Sequence, residues 1–210
     1  MPPCDSESLL GAARHVLPLI VHRPTANVPR EVALGSVFGV QHPTFDMSVL
    51  RAALDPSEGG HEDAVGLLEL AGGDVLEIGV PPQGARADFG GDMATPKAQR
   101  VLALLAGPGV VELRQLAVPS DVTYPGPNFF PEEPIEGFAE AWSAVEADWH
   151  GPGHKPGDQD RWYVESHVAR RRDVLVTDDE GMRTMCRRLR DEHGFNITVE
   201  SLPEYAARFE

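Results

Sequence analysis

Asp173-Val174-Leu175-Val176-Thr177-Asp178-Asp179-Glu180 is the stretch on which the fold turns. An unbroken aliphatic run with no polar alternation is the mark of a strand buried on both faces, as in a helix-covered parallel sheet. The residues after it change period. Met182, Met185, Cys186 and Leu189 recur at helical spacing, and Gly194 supplies the stop, so a helix is expected from Glu180 to His193. Strand, acid pair and helix follow one another with no intervening loop.

Working outward toward the N-terminus, the same order recurs. Thr44-Phe45-Asp46 ends a short apolar segment and leads into Ser48–Leu54, read as a helix. His61–Ala71 is a second helix, stopped by Gly72-Gly73, and Val75–Val80 a strand. Thr95-Pro96 is a helix start, with Thr as N-cap and Pro at the first position; that helix runs to Gly107 and precedes a strand at Val110–Leu113. Ile135, Phe138, Ala139, Trp142 and Val145 fall on one helical face. Phe138, Trp142 and Trp162 are therefore expected in the core. A helix from Asp160 to about Arg171, a strand at Asn196–Val199 and a terminal helix at Leu202–Phe209 complete the series. Alternating strands and helices predict a three-layer α/β/α architecture around a central, mostly parallel sheet. Residues 1–42 read as an N-terminal extension with two short strands, and 43–210 as the domain, with a Pro/Gly-rich excursion at about 106–157.

The bulk properties narrow the function classes. The 210 residues suffice for one domain with a real core, and 41% hydrophobic with 24% charged residues is ordinary for a globular chain. Cys4 and Cys186 form neither a disulfide framework nor a CxxC pair. No apolar run approaches the roughly 18 residues of a membrane helix, so a soluble cytoplasmic protein is expected. The formal charge of −15 works against phosphate binding over the whole surface. Residues 161–190 nevertheless carry eight arginines against five acids. They form either a locally basic face or the solvent side of two helices.

In open parallel sheets, functional groups gather beyond the carboxyl ends of the strands, where Asp46 and Asp178-Asp179 stand. Carboxylates converging there would repel one another unless a cation neutralised them, and Mg²⁺ or Mn²⁺ prefers oxygen ligands of this kind. The capping reading stands beside this one, since an aspartate ahead of a helix commonly accepts backbone N–H bonds. Asp178 is one candidate for that cap, which would leave Asp179 to a ligand. His150 and His154 lie in a Gly/Pro loop with no further ligand nearby and read as loop residues; His167 reads as a satisfied, partly buried histidine.

Phe45-Asp46-Met47-Ser48-Val49-Leu50, the segment Val80–Asp88, and Asp160 followed by Asp173–Asp179 together resemble the motifs of PIN-like ribonucleases. The resemblance spans about residues 43–209. It implies a PIN-like fold, Mg²⁺ or Mn²⁺ as cofactor, and hydrolysis of RNA phosphodiester bonds by an endoribonuclease. By position, Asp46, Asp160 and Asp179 would be metal ligands. Asp88 would stand where the family usually has glutamate, with Asp92 or Glu77 as other choices for that acid. Ser48, Thr177 and Asp178 would support them, and Arg161 and Arg183 would meet the substrate. The family also occurs in toxin–antitoxin pairs, so a basic protein partner or antitoxin is the second expectation, with the chain as a weakly active or inactive module. Two other folds fit less well. A haloacid-dehalogenase phosphatase needs an acid where Ser48 stands, and a receiver domain needs more chain than the 30 residues after Glu180.

Overall fold

The computed structural model describes residues 39–81, 95–113 and 135–210, all within one compact unit, Leu34–Glu210. The expected strands before residue 39, the irregular stretch 117–133, Asp88 and Asp92 lie outside the described residues.

The chain runs β1 (Pro43–Phe45), α1 (Met47–Leu54), α2 (His61–Gly72), β2 (Ile78–Val80), α3 (Pro96–Leu105), β3 (Val110–Glu112), α4 (Phe138–Ala147), α5 (Asp158–Ala169), β4 (Val174–Val176), α6 (Glu180–His193), β5 (Val199–Glu200) and α7 (Leu202–Ala206), followed by a 3₁₀ turn at Ala207–Phe209. The strands form one sheet in the order β3-β2-β1-β4-β5, with every pairing parallel. β1 lies at its centre, with Thr44 opposite Gly79 on one side and Leu175 on the other. Each residue of β1, β2 and β4 is buried, so both faces of the sheet are covered. The covering helices pack in two groups, α1 with α2 and α2 with α7, and separately α4 with α6. The result is an α/β sheet flanked by helices.

Apolar side chains from both periods meet in one core, including Phe45, Leu50, Ile78, Leu175, Met185 and Tyr205. Phe138 stacks with Trp142 and meets Phe195 edge-on. Trp162 is only half-buried, and the apolar face of α4 is Phe138, Ala141, Trp142 and Val145, with Ala139 half-buried. Gly194 ends α6 in the left-handed conformation at φ 77°, where its N–H reaches the Arg190 carbonyl.

Three differences from the sequence expectation bear on the carboxyl end of the sheet. The last strand is Val199–Glu200, because Leu175 and Thr177 draw their partners from Thr198 and Glu200. α5 begins at Asp158, with Gly157 at the N-cap, so Asp160 is the third residue of its first turn instead of opening the helix. Asp179, not Asp178, caps α6: Asp179 Oδ1 accepts the Met182 N–H at 2.9 Å, while Asp178 Oδ1 is taken by the N–H of Leu202.

The amino ends of the strands are tied by one buried cation. Arg172, just before β4, donates to the carbonyl of Pro43 in β1 and to both the carbonyl and the carboxylate of Glu77 before β2. Glycine at position 79 makes room for it, since a Cβ there would come within 2.7 Å of the Arg172 Nε. His42 adds a 3.2 Å contact to Glu77, and its N–H bonds Asp173. Glu77 is thus committed at the end of the sheet opposite Asp46, which removes it as an alternative acid for the site.

Candidate functional site

At the carboxyl end of the sheet, β1 stops at Phe45 because Asp46 turns the chain into α1. The Asp46 N–H still reaches the Val176 carbonyl of β4, while its side chain caps the new helix through the Met47 N–H. Asp46 is 6% exposed. Its second oxygen accepts hydroxyl hydrogen bonds from Thr177 at 2.8 Å and Ser48 at 2.9 Å. Ser48 also accepts the N–H of Asp178, so α1 and the end of β4 share this polar seam.

Burial pushes the Asp46 carboxyl above its ordinary value, and the bonds from Thr177, Ser48 and Met47 oppose that shift. The negative charge of Asp160 pushes in the same direction as burial, which puts Asp160 within electrostatic reach of Asp46. Among the described residues no lysine, arginine or histidine pairs with Asp46. A buried carboxylate in that condition is ordinarily protonated, or neutralised by a cation.

Thr177 links two of the acids. Its hydroxyl gives its one proton to Asp46 and accepts the N–H of Asp179 at 3.1 Å. Asp179, with one oxygen on the Met182 N–H, has its other 3.3 Å from His154 Nε2. Asp160 bonds the Gly157 N–H at 2.8 Å from within the first turn of α5. Asp46, Asp160 and Asp179 therefore come to one end of the sheet, and each also holds a backbone N–H. The metal and capping readings are not exclusive.

In kind the donors suit a hard divalent ion, being all carboxylate oxygen, and the uncompensated charge at Asp46 suits one as well. Among the described residues, however, no three His, Cys, Asp or Glu side chains gather closely enough to hold an ion.

Six of the eight arginines in residues 161–190 pair with acids, Arg172 with Glu77 among them. Arg161 pairs with Glu165, Arg183 and Arg187 with Glu180, Arg188 with Glu192 and Asp148, and Arg190 with Asp191. The spacings Arg161/Glu165, Glu180/Arg183 and Arg188/Glu192 were the sequence signal for this pairing. Arg183 also points a guanidinium N–H at the Thr177 carbonyl, 3.5 Å away. His167 is fully buried, with Nδ1 on the Thr44 hydroxyl at 3.0 Å; desolvation and the nearby Arg172 hold its imidazole down at about 4. His154 is an exposed loop residue, as expected, with Nε2 3.3 Å from an Asp179 oxygen.

No protein-family model matches the chain, and neither does any curated protein. Among solved structures, the chain is similar to VapBC2 from Rickettsia felis, crystallised bound to a DNA fragment from their promoter. That likeness covers 77% of this chain and 98% of the other, at 11% sequence identity and a TM-score of 0.43. Among the described residues, no helix is long and apolar enough to cross a membrane.

Proposed function

We propose that this chain is a PIN-like, divalent-metal-dependent endoribonuclease that hydrolyses RNA phosphodiester bonds at the carboxyl end of its sheet. The observation that carries the reading is Asp46: a buried, hydroxyl-oriented carboxylate within electrostatic reach of Asp160, with no basic partner among the described residues. Asp46, Asp160 and Asp179 would hold Mg²⁺ or Mn²⁺, with Asp88 as the fourth acid. A bound ion of this type activates water and stabilises the charge of a phosphoryl transition state. The residues themselves do the positioning. Thr177 and Ser48 fix the Asp46 carboxylate, Asp178 ties α7 to the end of β4, and Arg183 would meet a phosphate once Glu180 releases it. Arg161 would contribute in the same way after leaving Glu165.

The test is a Mn²⁺ or Mg²⁺ titration followed by thermal unfolding, beside an RNA cleavage assay. Metal bound to the native state must raise its melting temperature. Asp46→Asn and Asp179→Asn are expected to lose that rise and to lower cleavage by on the order of 100-fold. Cleavage by either variant at the parent's rate refutes the assignment.

A second reading has its own support. Asp179 already has both oxygens engaged, the neighbouring arginines are paired with acids, and the chain carries a formal charge of −15. These features favour a weakly active or inactive module whose acidic end receives a basic protein partner such as an antitoxin. An unmoved melting temperature at millimolar metal, with saturable binding of a short arginine-rich peptide lost in Asp46→Asn, would select this reading.

A further inference from the structure

α7 is five residues long, too short to be stable as an isolated helix, so its order comes from what it is docked against. Its own cap supplies part of the hold. Ser201 Oγ accepts the Glu204 N–H, and the Glu204 carboxylate accepts the Ser201 N–H at 2.8 Å. The first helical N–H, that of Leu202, is taken by another element and donates to Asp178 Oδ1 at 2.9 Å. The side chains of Leu202 and Tyr205 are fully buried. A Cβ on Gly60, the N-cap of α2, would fall 2.8 Å from Leu202 Cδ2, and the Tyr205 ring meets Phe45 edge-on. Phe45 is the residue immediately before Asp46.

Asp178 carries the contact onward. It is exposed, so its side chain adds nothing to the core. Its N–H donates to Ser48 Oγ at 3.2 Å, and the Ser48 hydroxyl gives its single proton to Asp46 Oδ2 at 2.9 Å. A continuous line of hydrogen bonds therefore runs from the α7 backbone through Asp178 and Ser48 to the buried acid. It is separate from the Thr177 bond that reaches the same oxygen.

We propose that α7 is a strap on the candidate site: its docking holds Asp178, which sets Ser48 and through it the orientation of the Asp46 carboxylate. Asp178 is then a positioning residue that works as a hydrogen-bond acceptor, and its negative charge is dispensable. The coupling is reciprocal, so a ligand that fixes Asp46 also steadies α7. The consequence for RNA cleavage rests on the function proposed above.

The experiment is amide hydrogen exchange of the full chain in metal-free buffer, resolved by residue with NMR. In Asp178→Ala, the amides of Leu202 and Met47 are expected to exchange faster by on the order of 10-fold, Met47 because its acceptor is Asp46. The Ile78 N–H, bonded to the Gly109 carbonyl, should keep the parent's rate, which separates local opening from global unfolding. Asp178→Asn keeps an acceptor oxygen and should restore both rates. Ser48→Ala cuts the line beyond Asp178, and should speed Met47 while Leu202 stays protected. An unmoved Met47 amide in Asp178→Ala overturns the strap, and so does a failure of Asp178→Asn to restore it. In an RNA cleavage assay, Asp178→Ala should lower kcat with little change in KM, and Asp178→Asn should recover it. If Leu202 and Met47 respond together but no protein in the series cleaves RNA, the strap holds and only the nuclease reading fails. If the parent cleaves RNA and Asp178→Ala matches its kcat, the strap fails and the nuclease reading stands.

Discussion

The two ends of the sheet solve the same electrostatic problem in opposite ways. At the amino ends, Glu77 meets a buried guanidinium: Arg172 ties β1, β2 and β4 together, and burial of the charges is offset by direct pairing. At the carboxyl ends, Asp46 is more deeply buried, has Asp160 as a repulsive neighbour, and is held by hydroxyl and backbone donors without a full positive charge. The first arrangement is electrostatically complete in the protein alone. The second gains from any cation that reaches it. A fold that neutralises one end and leaves the other short of positive charge separates its scaffold from its chemistry along a single strand.

The contrast is broken most severely at Arg172. Arg172→Ala should destabilise by about 3 kcal/mol in urea unfolding, since it strands the Pro43 and Glu77 oxygens that the guanidinium satisfies. Glu77 is partly exposed, which keeps the expected loss toward the lower end of what a buried pair shows.

Acid should expose His167, between the two ends, by an effect on the order of 2–3 kcal/mol. Its folded-state value of about 4 lies below the ordinary 6.5, so the unfolded chain takes up a proton that the native chain refuses. Stability from this group is complete above about pH 6.5 and is lost as the pH falls toward 4. His167→Asn should flatten the dependence of melting temperature on pH across that window. Asp46 acts with the opposite sign. Its raised value lets the native state bind a proton before the unfolded state does, relieving the buried charge on the acid side.

Thr177→Val removes the bridge between Asp46 and the Asp179 amide, and should cost about 1–2 kcal/mol by chemical denaturation. The smallest effect sharpens the contrast by reversing sign. In metal-free buffer near pH 7.5, Asp46→Asn should raise the melting temperature by a few degrees, because it deletes a buried charge and keeps the side chain's shape. An unchanged or lower melting temperature would show that the three donors around Asp46 already offset its charge.

Much of this plan was legible in the chain. The run Val174–Val176 between acids, the apolar spacing of Met182, Met185 and Leu189, and the stop at Gly194 gave strand and helix their places, because period and capping are local properties. Thr177 and Ser48 beside acids at strand ends were legible for the same reason. What sequence could not reveal depended on distant chain. Whether Asp178 or Asp179 caps α6 is decided by the Leu202 N–H, which claims the former. Glu77 looked available until Arg172, far along the chain, was brought against it. The seat of the 151–157 loop on α6 was hidden too, because it depends on the close approach of Gly153 to Gly181, where a Cβ on Gly153 would fall 2.6 Å from the Gly181 nitrogen, and glycines announce freedom without naming the neighbour that uses it.

The Thr177 hydroxyl carries a final consequence. Having accepted an amide hydrogen from Asp179, it can supply its single proton only elsewhere, and Asp46 receives it. The chain of bonds therefore has a built-in polarity, running from the start of α6 toward β1. Any event that draws electron density from the Asp46 carboxylate will tighten or loosen its hold on that proton. The Asp179 amide, one bond upstream, becomes a spectroscopic reporter of what happens at a carboxylate it never touches.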